Sequence, residues 1–425
     1  MSSKKFSTRD GLQYLAVAAA AVLAHFMLVP AGLGFLNADY ATEQLVSFGI
    51  QAGHWSPFHF EQLYGGTALT HLRALWTAIS EGAHPTAEST VRAQMQFSYV
   101  ILPLLMALAS FALARAYCGR AAAFAVGLVS AVGFQFWVSQ YGNDSYLFFL
   151  LMGVVLLILR GGRKQPFLEF SPRALLGLGV LCGLSLYTTR ISAIYCVALF
   201  LPEALPGGFW RRLLQPKGRL EKTLVAGLVF FMFLFLYTWL FGYDLGTVGE
   251  RHVKILSGPN LKFALVLAVG YVAKAHLHRL TKPVLTRAAW LAGGLFIGML
   301  PELSVRLTAT QRISGGVAGL YSFDDSMRAL GLIPQALRDL FSASSDLGRV
   351  LSVLLMVGAL SALYLRRSKL RSDFAIRVSF VLSMISFCLV QTYTFAPTRY
   401  LLPVFPALLV GLGYLYEWAS QKGRA

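Results

Sequence analysis

Residues 12–35 read LQYLAVAAAAVLAHFMLVPAGLGF, and Asn37-Ala38-Asp39-Tyr40-Ala41-Thr42-Glu43-Gln44 follows almost at once. As a helix the apolar stretch is long enough to cross a hydrocarbon layer, which takes about 20 residues. Lys4, Lys5 and Arg9 precede it, so it reads as an anchor whose N-terminal side holds the positive charge. No small-residue cleavage pattern stands before Asn37, and the segment is expected to be retained, not removed as a signal peptide.

Working outward, eleven further apolar runs can be drawn, near 96–115, 121–139, 144–160, 174–187, 191–206, 223–243, 262–276, 287–301, 349–366, 378–394 and 400–418. Lys and Arg collect in every second connection, as they do when positive loops stay cytoplasmic. One side receives 25 of the 37 basic residues and 6 of the 19 acids, leaving 12 and 13 for the other. The net charge of +18 is therefore a topology signal. A nucleic-acid surface would gather such charge on one aqueous face. With 56% hydrophobic and 13% charged residues, the chain has too little polar surface for a soluble globule of this size.

The expected fold is an all-α polytopic membrane protein of about 12 transmembrane helices. It is expected to be a single domain over 1–425, with no separate soluble domain. The runs at 174–187 and 191–206 are short, so a tilted or partly re-entrant hairpin is an alternative there. Two long non-cytoplasmic loops, 36–95 and 301–348, carry the remaining capacity for structure. The first has helical patterns in Tyr40 to Gly53 and around Leu72 to Ser80, suited to lying at the interface beside Trp55 and Trp76. Cys118, Cys182, Cys196 and Cys388 all sit in or beside apolar runs, where they act as small hydrophobes and no disulfide is expected.

Ionisable residues cluster at the non-cytoplasmic span ends. Asp39, just past the first run, is held at the lipid/water boundary, where a carboxylate can accept a proton from an acceptor hydroxyl. Its bland reading is a helix cap, with Glu43 near capping-box spacing. Tyr64-Gly65-Gly66-Thr67 is a turn able to approach an oxygen-rich ligand, with His54, His59, Glu61 and His71 nearby at no standard metal spacing. Asn143-Asp144 opens the run at 144–160, where capping competes with chemistry. Arg190, in Thr188-Thr189-Arg190, and Arg399, in Thr398-Arg399-Tyr400, suit bidentate phosphate recognition, with snorkelling to headgroups as the rival. Arg306, close behind the run at 287–301, is a further candidate for an anion. The chain contains no GxxxxGK[ST], GxSxG or HExxH motif, which disfavours nucleotide hydrolysis, serine hydrolysis and zincin proteolysis.

Taken together, Asp39-Tyr40 after the first run, Tyr64-Gly65-Gly66, Gly142-Asn143-Asp144, Gly183 to Arg190, and Arg399-Tyr400-Leu401-Leu402-Pro403 make the chain resemble the GT-C class of polytopic glycosyltransferases. This class includes relatives of protein mannosyltransferases and aminoarabinose transferases. The resemblance implies a sugar donor linked to polyprenyl phosphate, a lipid or glycan acceptor, and an inverting displacement on the outer face of a bacterial inner membrane, with both termini cytoplasmic. It implies Asp39 as the base and Asp144 as a second acid, with Arg190 and Arg399 on the lipid phosphate. Tyr40, Glu43, Tyr64, Asn143, Arg306 and Tyr400 complete the expected substrate contacts. A divalent cation, Mg or Mn, is left open, because Asp39-Tyr40 stands where many members carry two adjacent acids. The soluble outer domain of many relatives is not expected after the last run. Two other readings compete. An O-antigen ligase or polymerase would lean on loop Arg and His; a flippase or transporter for a lipid-linked glycan would carry charges within its spans.

Overall fold

The computed structural model describes residues 8–28, 47–52, 68–82, 85–141, 144–161, 167–188, 190–204, 216, 218–241, 244–248, 251–254, 257–276, 282–308, 327–328, 330–334, 357–364, 371–390 and 398–422. Nearly all of them are helical. The helices are α1 (Thr8–Leu28), α2 (Ala68–Glu81), α3 (Ala87–Gln96), α4 (Leu102–Tyr117), α5 (Arg120–Tyr141), α6 (Asp144–Arg160), α7 (Pro172–Thr188), α8 (Ala193–Ala204), α9 (Arg219–Phe241), α10 (Ser257–His276), α11 (Lys282–Thr308), α12 (Arg371–Val390) and α13 (Phe405–Lys422). Each apolar run expected to span overlaps described helical residues, 357–364 for the run at 349–366. Five helical stretches are long and apolar enough to cross a membrane: Thr8–Met27, Ala87–Tyr117, Arg219–Phe241, Pro283–Pro301 and Leu401–Gln421. Shorter apolar helices cover Arg120–Gly133, Leu147–Arg160, Pro172–Thr188 and Ala193–Pro202. The chain is a multi-pass membrane protein.

Three departures from the sequence reading have local causes. The run drawn from residue 96 begins earlier: α3 is capped by Thr86, whose Oγ1 accepts from Ser89 N at 3.1 Å, and carries Glu88 in its first turn. It passes through a π-helical turn, Phe97–Ile101, into α4, so Ala87–Tyr117 is one helix of 31 residues. An apolar-run criterion misses α3 because its outward face is polar, with Arg92 and Glu88 paired at 2.9 Å. Likewise α11 runs through Pro301 to Thr308, so the loop boundary at 301 falls inside a helix.

The third departure is a two-stranded antiparallel hairpin in a fold expected to be all-α. Strand β1 (Asp244–Val248) pairs with β2 (Arg251–Lys254) in the register Asp244↔Lys254 and Val248↔Arg251, between α9 and α10. Thr247, Val248 and Val253 favour strand.

The core forms where α1, α4, α5, α6 and α13 pack around Leu102, Met106, Phe111, Val126, Leu150 and Leu408. α8 joins through α6 and α12. The two short runs, for which a tilted or partly re-entrant hairpin is the alternative, form two helices with different main partners: α7 lies along α11, whereas α8 packs on α12. The α7–α11 contact is backbone to backbone. A Cβ added to Gly179 would lie 2.9 Å from Gly294 Cα, and one on Gly183 would lie 2.8 Å from Gly298 Cα. Gly179-x-x-x-Gly183 thus mates with Gly294-x-x-x-Gly298, and because both numbers rise together the helices are parallel.

One end of the bundle is sealed by charge. Asp10 accepts from Arg120 Nε at 3.0 Å and lies 3.5 Å from Arg115. Glu417 accepts from Gly119 N, and Tyr414 donates to Asp373 at 3.0 Å. Large apolar side chains on α9, α10 and α11, including Phe230, Phe233, Val266, Val269 and Phe296, point away from protein, as lipid-facing positions do.

Candidate functional site

The opposite end carries the candidate chemistry. Asp39, Tyr40, Glu43, Tyr64 and Asn143 lie outside the described residues, as do His54, His59 and Glu61. The other predicted residues are placed by their backbone. Asp144 is the first residue of α6, Arg190 opens the 3-10 turn Arg190–Ser192 between α7 and α8, and Arg399 and Tyr400 lie in the 3-10 segment Thr398–Val404 that leads into α13. Arg306 is in the last turn of α11.

Packing brings these termini together. Tyr195, fully buried one turn into α8, donates its hydroxyl to Pro403 O at 2.9 Å. Its ring lies 5.8 Å from that of Phe149 on α6 and covers Gly153, where any side chain would collide with it. One tyrosine therefore ties the helix opened by Asp144 and the turn opened by Arg190 to the segment carrying Arg399 and Tyr400. α6 also touches both 3-10 segments directly. Arg306 joins by register. Because α7 and α11 are parallel with Gly183 facing Gly298, Arg190 and Arg306 follow that contact by seven and eight residues, a similar axial height at about 1.5 Å per residue. Asp144, Arg190, Arg306 and Arg399 thus mark one end of the bundle, two helix termini and two 3-10 segments.

Sequence reading missed the polar interior beside this end. α2 packs on α3 and also touches α7. Thr70, Arg73 and Thr77 of α2, Thr90 and Gln94 of α3, Ser98 of the π-helical turn, and Ser47 are all buried. Ser47 donates to Thr70 O at 3.4 Å and Thr77 to Arg73 O at 3.0 Å. Arg73 and Gln94 are completely enclosed. The spacing of Thr90, Gln94 and Ser98 along one face gives a sequence signal for such a seam, but the same pattern also describes an exposed polar face. Gly82, at φ 83°, ends α2 in the left-handed conformation that glycine tolerates and turns the chain back toward α3.

The four cysteines are free thiols. Among the described residues no three His, Cys, Asp or Glu side chains come together as a metal site.

No protein-family model and no curated protein matches the chain. Solved structures do. An oligosaccharyltransferase from Archaeoglobus fulgidus, in complex with Zn and sulfate, has a similar fold at a TM-score of 0.51 and 15% identity, with 97% of this chain and 49% of that chain covered. The archaeal oligosaccharyltransferase AglB from Archaeoglobus fulgidus, in complex with an inhibitory peptide and a dolichol-phosphate, gives a TM-score of 0.49 at 16% identity, covering 99% and 52%. The chain spans about half the length of these structures. Over its matched length the chain therefore shares the fold of the oligosaccharyltransferase in complex with Zn and sulfate.

Proposed function

We propose that the chain is a GT-C glycosyltransferase that moves a hexosyl or pentosyl group from a polyprenyl-phosphate-linked donor to a lipid or glycan acceptor at the end of the bundle carrying Asp144 and Arg190. The observation that carries this reading is the fold shared with an oligosaccharyltransferase over nearly the whole chain. The gathering of Asp144, Arg190, Arg306 and Arg399 at one end supports it, because phosphate departure from an anomeric carbon needs cations where the charge develops.

In this reading Asp39 takes the proton from the acceptor hydroxyl as its oxygen attacks the anomeric carbon. The bond to the lipid phosphate breaks on the opposite face, and configuration inverts. Arg190 and Arg399 receive the departing phosphate as bidentate donors, with Arg306 adding charge at the same height. Asp144 and Asn143 orient the acceptor, and Tyr40, Glu43, Tyr64 and Tyr400 bound the site. No ligand set for Mg or Mn is assigned, and no step is routed through a metal. The single domain 1–425, with its loops 36–95 and 301–348, sits in a bacterial inner membrane as 12 spans with both termini cytoplasmic.

The test is consumption of labelled polyprenyl-phosphate sugar by the purified protein in detergent, with membrane-extracted lipid and glycan acceptors, in the presence and absence of EDTA. Label moves to acceptor if the reading is right. Folded protein that leaves the donor intact under both conditions overturns it, and a liposome assay of lipid-linked glycan translocation then takes up the transporter reading.

A further inference from the structure

Asp10 is shared by two guanidinium groups on unequal terms. Arg120 donates to it twice, from Nε at 3.0 Å to Oδ1 and from Nη2 at 3.4 Å to Oδ2, whereas Arg115 approaches it through Nε at 3.5 Å. A carboxylate pairs bidentately with one arginine, so the terminal nitrogens of Arg115 are left over. Arg115 has no other polar partner among the described residues, and with its side chain 22% exposed those nitrogens reach the surface. Arg9, next to Asp10 in the chain, is exposed and makes no ion pair among the described residues. The nearest further acid is Glu417 of α13, which accepts from Gly119 N beside Arg120. Arg9, Arg115 and Arg120 therefore outnumber the carboxylates of Asp10 and Glu417 at this end, and Arg9 and Arg115 have donors to spare.

The position of the cluster selects the kind of anion. Seven residues beyond Asp10 and Arg120, Val17 meets Gly127, where an added Cβ would lie 2.8 Å from Val17 Cγ2. Both numbers rise together, so α1 and α5 run parallel, away from the cluster and into the apolar bundle. On α1 the exposed positions Leu12, Leu15, Ala19 and Leu23 recur at helical spacing as one stripe, with Leu12 62% and Leu15 68% exposed. Arg9, three residues before Leu12, stands at the edge of that stripe. A water-soluble anion gains nothing from the leucines. A phospholipid brings phosphate to the arginines and acyl chains to the stripe, and basic pockets between membrane helices bind such headgroups.

We propose that Arg9, Arg115 and Arg120 form a binding site for the phosphate of an anionic glycerophospholipid whose acyl chains lie along Leu12 and Leu15 of α1. The lipid sits in the leaflet at the end of the bundle away from Asp144 and Arg190, so the inference stands apart from the glycosyltransferase reading. Bound there, it bridges α1, α4 and α5 and stabilises the folded chain by mass action.

The test is thermal unfolding of the delipidated full-length protein in neutral detergent, titrated with phosphatidylglycerol, with phosphatidylcholine of the same acyl chains, or with inorganic phosphate. Phosphatidylglycerol should raise the unfolding temperature saturably, and the other two should not at equal concentration. Arg9→Gln and Arg115→Gln should each raise the half-saturating concentration about fivefold, the effect of one basic side chain beside an anionic headgroup. Lys222→Gln, which removes an exposed charge from α9, should leave it unchanged. Arg9 is exposed and holds no ion pair among the described residues, so its variant reads the site even where Arg115→Gln folds poorly. An equal shift with phosphatidylcholine means that headgroup charge is not read, and an equal shift with phosphate means a site for free anions. Equal weakening by Lys222→Gln means general attraction to a basic face. Each of these results overturns the proposal, as does wild-type affinity in Arg9→Gln.

Discussion

Tyr195 shows how much of the site geometry rests on one side chain. Its hydroxyl satisfies Pro403 O inside the bundle, and its ring packs on Phe149 and over Gly153. Tyr195→Phe keeps the ring and orphans a buried carbonyl, so it should lower stability by about 1–3 kcal/mol, read as thermal unfolding in detergent. Because the same bond ties the Arg399 segment to the Arg190 turn, donor KM should rise as well. Unfolding unchanged from wild type would mean that the carbonyl is satisfied another way. Nothing in the sequence marks Tyr195 among 18 tyrosines, since its partner is 208 residues away. The placement of Asp144, Arg190, Arg306 and Arg399 at the ends of helical elements was legible for the opposite reason. Charge beside an apolar run is conspicuous, and the end of the helix fixes where it sits. Gln94 and Arg73 escaped because their burial is made by a second helix, which local pattern does not record.

At the scale of elements, the α7–α11 pair is held by four glycines in parallel register. Gly183→Leu should force the helices apart, costing about 1–3 kcal/mol as overpacking does, and the compensating change Leu295→Ala should not rescue it because the clash is with backbone. Folded yield and unfolding temperature in detergent are the readouts; a variant as stable as wild type would contradict the close approach. Both GxxxG motifs stand in the sequence, yet their pairing does not, since either could face lipid or any other helix. Apolar runs made the helices legible as elements. Their polar extensions were hidden: α3 lacks an apolar run and depends on Thr86, Glu88 and the Glu88–Arg92 pair. The β1–β2 hairpin was hidden because its strands have only five and four residues.

For the whole molecule, the described residues set two ends apart. Asp10, Arg115 and Arg120 meet at one end, where Gly119 and Glu417 also meet, while Asp144, Arg190, Arg306 and Arg399 mark the other. Single cysteines in a cysteine-free background test the orientation: Arg163→Cys should react with an impermeant maleimide only after inner-membrane vesicles are opened to the cytoplasmic side, and Asn37→Cys only from the other side. The reverse pattern would invert the topology and move the chemistry to the cytoplasm. Such labelling bears on where the reaction happens; what drives it is read from sugar transfer from a polyprenyl-phosphate donor by purified wild type and Asp39→Asn. The amide keeps the shape and the capping ability but takes no proton, so transfer should fall by about 10²–10⁴-fold with unfolding temperature unchanged. Wild-type transfer matched by a folded Asp39→Asn protein would contradict the account.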